Sequence, residues 1–131
     1  MTQPKKIRVL VVDDSAQMRE KLSEIINSDS DCEVIATAKD GEEAVIKFME
    51  NRETVRLLLF DLIMPRKNGR EACDEIRKIK PEVKVIFTSG YPADVIRKKG
   101  VLDEADLFLF KPASPRETLH LVQNALSLDP C

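Results

Sequence analysis

The sequence predicts an α/β protein: a doubly wound, five-stranded parallel sheet with five helices. Five short apolar, often β-branched runs alternate strictly with five amphipathic stretches, and parallel strands need a crossover of that kind between them. The links are short and carry turn residues such as Ser28-Asp29-Ser30-Asp31 and Asp40-Gly41. The third run, Leu57-Leu58-Leu59-Phe60, is apolar at consecutive positions, as in a strand covered on both faces.

Taken in order, Ile7 to Val12 is a β-branched run and a buried strand, ended by Asp13-Asp14-Ser15. A helix follows from about Ala16 to Asn27, with Met18, Leu22, Ile25 and Ile26 at helical spacing. Cys32 to Ala38 is a second strand, weaker and of edge character. Glu42 to Asn51 is helical, with Ala44, Val45 and Phe48 inward and two glutamates near its amino end. The central strand runs to Asp61, and Pro65 and Asn68-Gly69 then break the chain. Arg70 to Lys80 makes a third helix, with Ala72, Cys73, Ile76 and Ile79 inward, and Pro81 stops it. Lys84 to Thr88 is the fourth strand. Pro92 to about Lys99 is a short helix closed by Gly100. Asp106 to Phe110 is the fifth strand, ending in Lys111-Pro112. Ser114-Pro115-Arg116-Glu117 has the form of a capping box. It opens a last helix to about Leu126, with Leu119, Val122, Ala125 and Leu126 inward.

No repeat, linker or low-complexity segment interrupts this pattern. One domain over residues 1–131, with its core at about 6–128, accounts for the 131 residues. With 21 basic and 23 acidic residues the net charge is −2, which leaves no electrostatic footprint for nucleic acid or an anionic membrane. No apolar stretch approaches the ~20 residues of a membrane helix, and the first apolar run ends in two aspartates, unlike a signal peptide. Cys32, Cys73 and Cys131 are odd in number and far apart, so they fit neither a disulfide framework nor a metal knuckle. The expectation is a cytoplasmic protein with reduced thiols, two of them packing as small hydrophobes.

Parallel strands bring all their carboxyl ends to one edge, where open α/β sheets hold ligands. The first strand delivers Asp13 and Asp14 there, the third Asp61, the fourth Thr88 and the fifth Lys111. Singly, each has a plain structural reading: the acidic pair as helix caps, Thr88 as a β-branched strand residue, Lys111 as a solvated strand end. Jointly, they place three carboxylates, a hydroxyl and an ammonium in one crevice. Crowded carboxylates repel, and a hard divalent cation relieves them. Mg2+ accepts carboxylate oxygens and keeps positions open for phosphate. Asp61 is then a candidate nucleophile forming an aspartyl phosphate, with Lys111 and Thr88 stabilising the phosphoryl oxygens. His120, the sole histidine, falls in the last helix, away from this edge, and is read as a surface residue.

Val11-Val12-Asp13-Asp14-Ser15, Asp61-Leu62-Ile63-Met64-Pro65 with Gly69, Thr88-Ser89-Gly90 and Lys111-Pro112 together resemble the receiver domains of two-component response regulators. The resemblance covers nearly the whole chain. It implies the flavodoxin-like strand order 2-1-3-4-5. It implies that Asp61 accepts a phosphoryl group from a phosphohistidine on a histidine kinase or histidine phosphotransfer domain. It implies slow self-dephosphorylation but no turnover of external substrates. It implies Mg2+ held by Asp14, Asp61 and the backbone carbonyl of Ile63, with Asp13 acting mainly through water. Thr88 and Lys111 correspond to the family's switch hydroxyl and its lysine, and Phe108 takes the place of its switch aromatic. The stretches Thr88 to Pro92, Gly100 to Glu104 and Phe108 to Pro112 resemble, more narrowly, the C-terminal receivers of hybrid sensor histidine kinases. Ala113 and Asn68 depart from residues frequent in the family, and Phe108 lacks the hydroxyl of a tyrosine.

Two other classes share parts of this chemistry. An aspartate-nucleophile phosphatase resembles sequences with a second Asp two residues after the nucleophile, where this chain has Ile63. A flavodoxin-like cofactor binder shares the fold, yet a flavin phosphate wants a Ser-, Thr- and Gly-rich amide nest after the first strand. Asp13 and Asp14 stand there instead.

Overall fold

The computed structural model describes residues 7–62, 69–90, 107–110 and 114–127. Its strands are β1 (Ile7–Val12), β2 (Cys32–Ala38), β3 (Val55–Asp61), β4 (Lys84–Ser89) and β5 (Leu107–Phe110). Its helices among the described residues are α1 (Ala16–Asn27), α2 (Gly41–Glu50), α3 (Gly69–Ile79) and α4 (Pro115–Ser127). The helix expected over Pro92 to Lys99, with its Gly100 cap, lies outside the described residues, as does the expected strand start at Asp106. The strands form one parallel sheet in the order β2-β1-β3-β4-β5, which is the implied flavodoxin-like order. β2 is an edge, as its weaker pattern suggested.

Strand alternation divides the core in two. Leu10, Val12, Leu58, Phe60 and Phe87 meet Phe48 of α2 and Ala72, Cys73 and Ile76 of α3 on one face. Val9, Val11, Leu57, Leu59 and Ile86 meet Leu22 and Ile26 of α1 and Val122 and Ala125 of α4 on the other. Leu57 to Phe60 are at most 1% exposed, so the central run is covered on both sides. Ile79 departs from expectation. It ends α3 and is 41% exposed, because the last helical turn runs past the sheet it packs on. Met18, Val45 and Leu119 are half-buried rather than buried, and the side chain of Leu126 lies outside the described residues. Cys32 and Cys73 are buried and outside any disulfide.

Element ends follow local chemistry. Ser15 caps α1 by accepting the Met18 N–H. Asp40 caps α2 by accepting the Glu43 N–H at 2.8 Å, so α2 starts at Gly41 rather than Glu42. Ser114 accepts the Glu117 N–H at 3.1 Å and donates to its carboxylate, which is the expected capping pair. β3 starts two residues before the apolar run, since the exposed Arg56 hides Val55, the partner of Arg8 in register. Lys80 Nζ donates to the Arg52 and Val55 carbonyls at 3.0 and 2.7 Å, tying the end of α3 to the start of β3.

Burial, with Asp29 and Asp31 nearby, pushes the Cys32 thiol up from 9.0 to about 11. As pH rises, the unfolded chain therefore releases this proton before the folded one does. The contribution is complete below about pH 9 and is lost between about pH 9 and 11. Urea midpoints are expected to fall faster across that window for the wild type than for Cys32→Ala. Parallel curves would contradict the shift.

Candidate functional site

The ends of β1 and β3 bring Asp13, Asp14 and Asp61 together. One carboxylate oxygen from each lies within 4.8 Å of the others. Asp13 is fully buried, Asp61 is 4% exposed, and Asp14 faces solvent. The backbone holds the pair from several sides. The Asp13 N–H donates to the Ala38 carbonyl at 3.1 Å, which extends β1 along β2. Asp13 Oδ1 accepts the Ser15 N–H at 2.9 Å, the Asx turn that releases the chain into α1. Asp13 thus supports the helix start, but Ser15 is the cap. Arg19 of α1 reaches back, and its Nη1 donates to the Asp13 carbonyl at 2.7 Å. Spacing in the sequence gave no signal for that contact.

Asp61 and Thr88 are register partners across β3 and β4, so their side chains leave the same face of the sheet. Thr88 is 1% exposed, and its hydroxyl has no hydrogen-bond partner among the described residues. A buried hydroxyl left in that condition costs free energy, and an oxygen ligand beside Asp61 would relieve it. Phe108 is the register partner of Phe87, one step before Leu109, which pairs with Thr88. It is half-buried against the α2–α3 core face, beside Phe87. Lys111 and Ile63 lie outside the described residues. His120 is exposed on α4, as expected.

Gly69 makes the corner after β3 possible. A Cβ built there would lie 2.5 Å from the Asp61 carbonyl oxygen, 2.9 Å from Leu62 Cα and 3.1 Å from the Asp61 carbonyl carbon. Its N–H donates to the Leu62 carbonyl, and the Leu62 N–H to the Thr88 carbonyl, each at 2.9 Å. The start of α3 is thereby set directly against the backbone of Asp61. The sequence motif includes Gly69, but only the folded backbone reveals what its missing side chain allows.

The donor set is hard and all-oxygen, which suits Mg2+ or Ca2+ over thiophilic metals. Two buried carboxylates and one exposed one would leave the solvent side open for water or phosphate. Asp13, Asp14 and Asp61 are the one such acidic group among the described residues. A cleft of about 430 Å3 at the other end of the sheet is lined by Arg8, Arg52, Glu50 and Glu53, with Asn51 and Met49. Its charges balance, and it holds no comparable cluster.

A doubly wound sheet with an acidic group at the carboxyl ends of β1 and β3 is the arrangement expected of a receiver-type signalling domain. The chain belongs to the response regulator receiver domain family, whose model matches residues 9–123. It is 37% identical over 108 residues to the chemotaxis protein CheY of Thermotoga maritima, covering 82% of this chain and 88% of that protein. It is 48% identical over 85 residues to a protein-glutamate methylesterase/protein-glutamine glutaminase of Caldanaerobacter subterraneus, covering 65% of this chain but only 23% of that enzyme. Among solved structures it superposes on the CheX-CheY-BeF3-Mg2+ complex from Borrelia burgdorferi with a TM-score of 0.82 and 29% identity. That match covers 93% of this chain and 90% of the other. No described helix is long and apolar enough to cross a membrane.

Proposed function

We propose that this chain is a single cytoplasmic receiver domain that takes a phosphoryl group onto Asp61. The donor is a phosphohistidine on a histidine kinase or histidine phosphotransfer domain. The observation that carries this reading is the convergence of Asp13, Asp14 and Asp61 within 4.8 Å, beside the buried Thr88 hydroxyl. In the reaction an Asp61 carboxylate oxygen bonds to phosphorus as the phosphorus–nitrogen bond breaks. The imidazole keeps the electron pair and takes up a proton. Asp14, Asp61 and the Ile63 carbonyl would hold Mg2+, with Asp13 acting mainly through water, and the ion would supply positive charge to offset that of the phosphoryl oxygens. Thr88 donates its hydroxyl hydrogen to one of those oxygens, and Lys111 supplies a positive charge. The motifs at Thr88 to Pro92 and Gly100 to Glu104 favour a receiver of the hybrid sensor kinase kind.

The consequence of phosphorylation is a switch. Thr88 moves toward the phosphoryl group, and Phe108 turns into the space it leaves. Phe108 carries no hydroxyl, so its two placements differ by packing alone, and burying the half of the ring still exposed favours the inward one by roughly 1 kcal/mol.

Incubation with Mg2+ and acetyl phosphate, followed by peptide mass mapping, tests the assignment. One added phosphoryl group on the peptide holding Asp61 is expected, and modification elsewhere would overturn it. Asp14→Ala is expected to raise the half-saturating Mg2+ concentration by at least about tenfold, since loss of even outer-sphere support does as much. An unchanged Mg2+ dependence would remove Asp14 from the site.

A further inference from the structure

Arg70 is the residue that links the phosphoacceptor end of β3 to the aromatic face beneath the switch. It follows Gly69, where a Cβ would meet the Asp61 carbonyl oxygen at 2.5 Å and whose N–H donates to the Leu62 carbonyl at 2.9 Å, so the first turn of α3 is tied to that strand end. From this turn the Arg70 guanidinium lies over the ring of Phe87, with its central carbon 5.0 Å from the centroid. The Arg70 side chain is only 18% exposed, while Asp74, 3.9 Å from its Nη1, is 60% exposed. Phe87 itself is fully buried. It is the chain neighbour of Thr88 and the register partner of Phe108. The core does not need a cation at this point, because α3 already buries Ala72, Cys73 and Ile76. Sheltering a guanidinium from water is costly unless something attracts it.

We infer that Arg70 is a positioning residue for the switch: its guanidinium, held over Phe87, favours the resting placement of Thr88 and Phe108. The inference rests on the receiver switch proposed above. The attraction between a cation and a ring face depends on close approach. If Thr88 moves toward Asp61 it pulls Phe87 with it, and the guanidinium loses its seat. An attraction present in one state and absent in the other biases the equilibrium by its whole value. Even at the strength such pairs have at exposed sites, this amounts to about two- to fivefold in population.

Fluorine NMR on fluorophenylalanine-labelled full chain tests it, with the Phe108 signal assigned by its loss in Phe108→Leu. Arg70→Met keeps an unbranched chain on the ring but removes the cation. In the resting protein this variant is expected to shift the Phe108 signal toward its beryllofluoride-bound position by about two- to fivefold in population ratio. Arg70→Lys, which keeps a cation, is expected to stay near the wild type. Phe87→Leu should reproduce the shift with Arg70 in place, and adding Arg70→Met to it should change nothing more. That pair of variants carries the test if Arg70→Met alone fails to fold. A purely structural role would lower unfolding midpoints and leave the population ratio where it was. Resting signals identical in wild type and Arg70→Met, with beryllofluoride still moving both, overturn the inference and leave the receiver reading standing. A wild-type Phe108 signal that beryllofluoride does not move overturns the switch beneath it.

Discussion

Asp61→Asn is expected to lower phosphorylation by acetyl phosphate by more than about a thousandfold, as removal of a nucleophile does in other enzymes. The side chain is nearly isosteric, and the position is 4% exposed at the end of a strand paired on both sides, so the fold should survive. The change acts on chemistry. An amide presents no anionic oxygen to phosphorus, and the acidic group shrinks from three carboxylates to two, weakening its attraction for a divalent cation. Phosphoryl incorporation is read by intact mass, with circular dichroism to establish that the variant is folded. Incorporation at the wild-type rate would remove Asp61 from the reaction.

Gly69→Ala is expected to damage both stability and phosphorylation. Its new methyl would meet only backbone atoms, the closest at 2.5 Å from the Asp61 carbonyl oxygen, and backbone cannot rotate away as a side chain can. Either α3 retreats or the end of β3 is pushed. Overpacking of this sort costs about 1–3 kcal/mol, a loss of roughly 3–6 °C in Tm per kcal/mol for a chain of this size. A displacement near 1 Å at a reacting group costs on the order of a hundredfold in rate, so the phosphorylation rate should fall by at least about tenfold. A variant with wild-type Tm and rate would mean that the corner has room the structure does not display.

Much of this protein is legible from residue order. The alternation of apolar runs with amphipathic stretches needs no tertiary information, because strand and helix periods are properties of the backbone. Parallel pairing then puts Asp13, Asp14, Asp61 and Thr88 on one edge whatever the details of packing. The strand order was legible only through family resemblance, since periodicity does not say which strands are neighbours. A boundary slipped where one polar residue interrupted a buried pattern, as Arg56 did at the start of β3, and an inward position was misjudged at the last turn of α3, where Ile79 is exposed.

Other features arise from approach between segments distant in the chain, and no local pattern encodes them. The 4.8 Å clustering of the carboxylates depends on the staggering of β1 against β3. The contact of Gly69 with the Asp61 carbonyl depends on how tightly the chain turns after β3. The reach of Arg19 to the Asp13 carbonyl and of Arg70 over Phe87 depends on where two helices settle against the sheet. Long polar side chains in an amphipathic helix look alike in sequence, whether they extend into water or fold back onto a ring or a carbonyl. That choice is made by the distance and desolvation of partners that only the packed sheet supplies.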